Sequence, residues 1–159
     1  MKYWLMKSEP EVFGIDHLAR APRQTSGWDG VRNYQARNLL RDDFKAGDRA
    51  FFHHSSCEMP GIYGTLEVVR AGHPDPTQFD RKSKHRDAGS DPENPRWYQV
   101  EVRLIEKFVR PVTLETLRAH AGGALKNMIV LRRGNRLSVM PVTESEWKFV
   151  LRLARADAR

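Results

Sequence analysis

Short apolar runs recur along this 159-residue chain without a regular strand–helix–strand rhythm. Tyr3-Trp4-Leu5-Met6 is aromatic-rich and bounded by lysines, and Ala50 to His54 is a second compact run. Ile62, Leu66 and Val68 alternate with Tyr63, Thr65 and Glu67; Val100, Val102 and Leu104 alternate with Glu101 and Arg103. Arg136 to Met140 is a short run stopped by Pro141. The pattern predicts strands near 3–7, 49–55, 62–70, 97–108 and 136–140 in one curved or barrel-like sheet. Parallel doubly wound folds need helical crossovers at every step, so the expected class is α+β.

The intervals carry helix signals. Ser8-Glu9-Pro10-Glu11 has the spacing of a capping box and predicts a helix through Phe13, Ile15 and Leu18, closed at Pro22. Asn33 is placed to cap a helix striped by Ala36, Leu39, Leu40 and Phe44. Thr113 opens another helix, and Leu125 to Leu131 fits either element. Thr143-Glu144-Ser145-Glu146 is a second capping box, ahead of a stripe of Trp147, Val150, Leu151 and Ala154. Residues 23–32 read as a loop in which Gly27 and Gly30 bracket Trp28-Asp29 in a tight turn. No repeat or boundary divides the chain, so residues 1–159 are expected to form a single domain.

Hydrophobic residues make up 40%, enough for a core, and Lys+Arg exceed Asp+Glu by 27 to 20. The net charge of +7 favours anionic partners, nucleic acid before membrane surface. No apolar run approaches the roughly 20 residues of a membrane helix, and the lone Cys57 calls for no oxidising compartment. A cytoplasmic protein that does not engage a membrane is the expectation. Between about 73 and 96 the chain carries Pro74, Pro76, Pro92 and Pro95 around a basic cluster of Arg81, Lys82, Lys84, His85 and Arg86. Such a long loop is usually functional, and its charge is useful beside a polyanion.

Nucleotide-binding glycine motifs, a phosphate-binding loop, H-E-x-x-H and G-x-S-x-G are all absent. His53-His54-Ser55-Ser56-Cys57 contains possible metal ligands, but neighbours on a strand point to opposite faces and no second cluster completes a site. Neither a metal nor a cofactor is expected. An enzyme acting on a nucleotide or modified base, with His54 or Cys57 as the reactive group, is the alternative reading. Trp28, Tyr34, Trp97 and Tyr98 sit among polar residues, whereas Trp4 and Trp147 lie on apolar faces that packing explains. Flat rings beside amide donors suit nucleobases.

Six segments in order resemble the EVE domain, a member of the PUA-like superfamily that is similar to the YTH domain. They are Tyr3 to Pro10, Trp28 to Asn38, Gly47-Asp48 with Phe52 to Ser55, Gly61 to Gly64, Asp91 to Tyr98, and Arg136 to Val142. Where the family pattern has an aromatic before the histidine, this chain has His53. The resemblance implies a PUA-like curved β-barrel with short helices around it, and a non-enzymatic module that recognises modified bases, methylated ones foremost, in DNA or RNA. By position it implies a pocket drawing on Lys7, Ser8, Trp28, Asn33, Ser55 and Trp97, with Arg136 and Ser138 alongside. Phosphate contacts are expected from Arg32, Arg81, Lys82, Lys84 and Arg86.

Overall fold

Alternation along β1 (Tyr3–Ser8) feeds two separate cores. Trp4 and Met6 pack into one, and Leu5, between them, packs into the other. The same split recurs on β3 (Arg49–His54), where Phe52 joins the first core and Phe51 the second. The computed structural model describes residues 1–157. Its strands, completed by β2 (Thr25–Gly27), β4 (Gly61–Pro74), β5 (Tyr98–Thr113) and β6 (Val139–Val142), form one six-stranded sheet ordered β2-β5-β4-β3-β1-β6. The β1–β3 pair is parallel and every other pair antiparallel.

The sheet is open, which corrects the expectation of a closed barrel; β2 and β6 are its edges. Both faces are already covered. Helices α1 (Pro10–Phe13), α2 (Ile15–Arg20) and α3 (Tyr34–Asn38) pack on the first core, and α4 (Leu114–Ala119) and α5 (Glu144–Asp157) on the second. Repeated register shifts interrupt the pairing of β4 with β5, and such irregularities bend strands. Gly64 sits at one of them, and a Cβ there would lie 2.1 Å from the Glu106 carbonyl oxygen.

Local signals were realised unevenly. Asn33 Oδ1 accepts from Ala36 N at 2.9 Å, and Thr143 and Glu146 cap each other reciprocally. Ser8 instead ends β1, so the first capping box does not form, and Glu9 takes the cap position without a side-chain bond. Gly14 divides the expected helix into α1 and α2. The last strand lies at 139–142 rather than 136–140, and Pro141 is inside it. An edge strand tolerates proline because one row of its amides has no ladder partner to meet. The strand β2 falls in the segment read as loop; three residues are too few to show alternation.

The segment 73–96 is more ordered than its composition implies. β4 runs on to Pro74, a 3-10 turn covers Pro76–Phe79, and turns fill the rest. Buried Gln78 staples it: Nε2 donates to the carbonyls of Asp75 (2.7 Å) and Trp97 (2.9 Å), while Oε1 accepts from Ser90 Oγ (2.6 Å) and Trp97 N (3.1 Å).

Candidate nucleic-acid interface

The C-terminal end of β1 opens into a cavity of about 660 Å³. Lys7 and Ser8 come from the strand end, Phe13 from α1, and Trp28 to Asn33 from the loop after β2. Lys84, His85, Arg136 and Ser138 close its other sides. The Ser138 carbonyl accepts from Lys7 N at 2.7 Å, which fixes the approach to β6 against the strand end. Of the residues singled out from the sequence, Lys7, Ser8, Trp28, Arg32, Asn33, Lys84, Arg136 and Ser138 therefore share one concave site.

Trp28 is tied to β5 by its N–H, which donates to Val100 O at 2.8 Å. Its indole is only 5% exposed and meets Phe13 and Phe52 edge-on, with centroids 5.9 and 5.1 Å apart. The ring is thus both core and cavity wall, a correction to its reading as a residue outside the core. Gly30 turns the loop with φ +77°, while Gly27 ends β2 and has no positive φ. A Cβ on Gly30 would lie 2.7 Å from His85 Nε2.

Arg32 is committed to the fold rather than free for phosphate. Its guanidinium pairs with buried Asp75 at 3.1 Å, reaches Thr77 Oγ1 at 3.2 Å, and donates to the His85 carbonyl from Nη2 (2.6 Å) and Nε (3.2 Å). Trp97 does not line the cavity either. It stacks on Tyr34 with centroids 4.9 Å apart, lies 5.3 Å below the Arg32 guanidinium, and donates from Nε1 to Asp87 at 2.8 Å. Both residues hold the basic segment in place. Arg81, Lys82 and Arg86 stand exposed on that segment outside the cavity lining. Ser55 lines a neighbouring cavity, described below.

Burial pushes the Lys7 amine below its ordinary pKa. Asp29, missed in the sequence as a site residue, is exposed at the cavity, yet partial loss of solvent first and the Asp75 charge second push its carboxyl pKa up. A carboxylate in that position can accept from an amine donor, and Asn33, whose Oδ1 caps α3, has its amide N–H groups left to donate. The only sequence signal for Asp29 was its place beside Trp28.

The proposed reactive histidine is occupied: His54 Nε2 accepts from Ile15 N at 3.1 Å and its ring stacks on Tyr63 at 4.0 Å. Cys57 is a half-buried free thiol. Among the described residues no three His, Cys, Asp or Glu gather into a metal-binding group, and no helix is long and apolar enough to cross a membrane.

Residues 2–153 match the EVE domain family. The chain belongs to the EVE family. Human thymocyte nuclear protein 1 is 44% identical over 98% of this EVE chain and 75% of its own length. The human protein has been solved in complex with 5-methylcytosine-containing DNA; that structure matches this one with a TM-score of 0.91 at 44% identity, over 97% of this chain and 98% of the other. A protein from Leishmania major matches with a TM-score of 0.93 at 39% identity, covering 100% and 98%. The EVE fold seen here is accordingly shared across most of each chain.

Proposed function

We propose that this chain is a non-catalytic reader of methylated bases in nucleic acid, 5-methylcytosine in DNA foremost, and that the cavity beside Trp28 receives the base. The cavity carries the reading: an indole and a phenyl ring stand beside Asp29 and Asn33, under cationic Lys7, Lys84 and Arg136. Likeness to a human protein solved with 5-methylcytosine-containing DNA supports the ligand class.

The energetics set what to expect. Unstacking a base costs a few kcal/mol, and stacking on an aromatic ring returns about 1–3 kcal/mol. The base alone therefore roughly breaks even, and phosphate contacts supply most of the affinity. Burying one methyl group adds about 0.8 kcal/mol, roughly fourfold in affinity. The test is a titration of identical duplexes carrying cytosine or 5-methylcytosine, with the same sequence as RNA. A preference of about fourfold or more for the methylated duplex is expected. Equal affinities would remove the reading.

A further inference from the structure

A second cavity, again of about 660 Å³, adjoins the first, and Lys7 lines both. Its floor is the end of β3 and the turn after it: His53, Ser55, Ser56 and Cys57. Arg118 of α4 and the Arg132-Arg133 pair form its rim, and among the described residues no Asp or Glu lines it. None of Lys7, Arg118, Arg132 and Arg133 takes part in an ion pair among the described residues.

His53 supplies the independent observation. The residue is 2% exposed, yet among the described residues neither Nδ1 nor Nε2 has a hydrogen-bond partner. Buried polar atoms in folded proteins are almost always paired, so an orphaned ring at a cavity wall marks a place where a partner is missing. Next to it in the parallel register stands Lys7. A neutral imidazole has one donor and one acceptor, and its donor together with the Ser55 and Ser56 hydroxyls suits a group rich in acceptor oxygens. Uncompensated cations around the rim favour an anionic group there.

We propose that this second cavity is a phosphate subsite, in which Arg132, Arg133 and Arg118 hold the charge and His53 with the serine hydroxyls holds the oxygens. It rests on the base-reading proposal only for the nature of the polymer. The phosphate comes either from the linkage next to the bound base or from a free phosphate group, and both present the same oxygens. Shared use of Lys7 places the two cavities one after the other along a bound strand. This part of the chain escaped the sequence reading because Leu125 to Leu131 was ambiguous and Arg132-Arg133 carried no motif.

The test is a double-mutant cycle on 5-methylcytosine DNA. Oligonucleotides with a single uncharged methylphosphonate at each linkage around the modified base are titrated against the full chain and against Arg132→Gln/Arg133→Gln. At one linkage the methylphosphonate should weaken wild-type binding about tenfold and leave the variant indifferent. Inorganic phosphate is then used alone as a competitor. Competition at millimolar concentration that the variant abolishes assigns the site to free phosphate; coupling without competition assigns it to the polymer. His53→Phe should weaken the same linkage's contribution severalfold, with melting curves to show that it folds. If the wild type shows no preference for methylated DNA but the coupling persists, the base-reading proposal falls and the phosphate subsite stands. Independent, additive effects at every linkage with no phosphate competition would overturn it.

Discussion

Arg32 and Asp75 form a 3.1 Å ion pair across 43 residues of sequence, and the carboxylate is completely buried. Asp75 also accepts from Gly30 N (2.8 Å), Thr77 N (2.8 Å) and Thr77 Oγ1 (2.6 Å). One side chain therefore joins the Trp28 loop to the basic segment, and the walls of the cavity beside Trp28 depend on it.

Removing that carboxylate leaves the Arg32 guanidinium without its anion in a largely enclosed place. Asp75→Ala should cost about 3–5 kcal/mol of stability, read from urea denaturation. Burial works to raise the Asp75 pKa, but its hydrogen bonds to Thr77, Gly30 and Arg32 prevail and the net direction is down. The stabilisation is therefore present above the ordinary aspartate value and lost as pH falls through the lower folded value. Acid titrations should show wild type losing more stability below about pH 4 than Asp75→Asn does.

Trp28→Ala should lower both stability and binding, because the ring packs on Phe13 and Phe52 as well as facing the cavity. A loss of about 3–5 kcal/mol in stability is expected from the truncation. Trp28→Phe keeps part of the packing, so it should melt closer to wild type while still binding methylated DNA severalfold more weakly. Binding measured at low temperature on folded protein separates the two effects. Wild-type binding by Trp28→Phe would assign the indole to the core alone.

His53 is held neutral: burial first, then the charges of Lys7 and His54, bring its pKa down from 6.5 to about 4. Between those values the unfolded chain binds the proton and the folded chain does not. Stability from this group is thus full above about pH 6.5 and falls as pH drops towards 4, by up to about 1.4 kcal/mol per pH unit. Denaturation at pH 7 and pH 5 should show a larger drop for wild type than for His53→Phe. Parallel pH dependences would show that the folded imidazole takes up its proton as it does in the unfolded chain, and so is not held neutral.

Salt dependence should sort the cations. Lys84 and Arg136 line the cavity beside Trp28, whereas Arg81, Lys82 and Arg86 lie outside it. Replacing Lys84 and Arg136 by Gln should weaken methylated and unmethylated DNA alike and reduce the slope of log affinity against log salt by about 2, one for each phosphate contact. Replacing Lys82 and Arg86 should change the slope less. The reverse order would move the DNA path onto the outer face of the basic segment.

Contacts between near neighbours were legible in the sequence, the Ser8 capping box excepted, because Ser8 is drawn into β1. The Asn33 and Thr143 caps are closed by groups three residues away, and the alternation on β1 and β3 assigns Leu5 and Met6, or Phe51 and Phe52, to opposite faces before any partner is known. Six ordered segments were enough to point to the EVE family. What the tertiary structure decided involves distant partners. Trp28 and Trp97 look alike in the sequence, each an aromatic among polar residues; one lines the cavity while the other is tied to Asp87 and Tyr34. Arg32 resembles a phosphate contact until Asp75 and the His85 carbonyl arrive to occupy it. The sheet stays open because helices from opposite ends of the chain cover its two faces, which strand patterns alone do not reveal. Periodicity records which way a side chain points; what it meets there is set by segments tens of residues away.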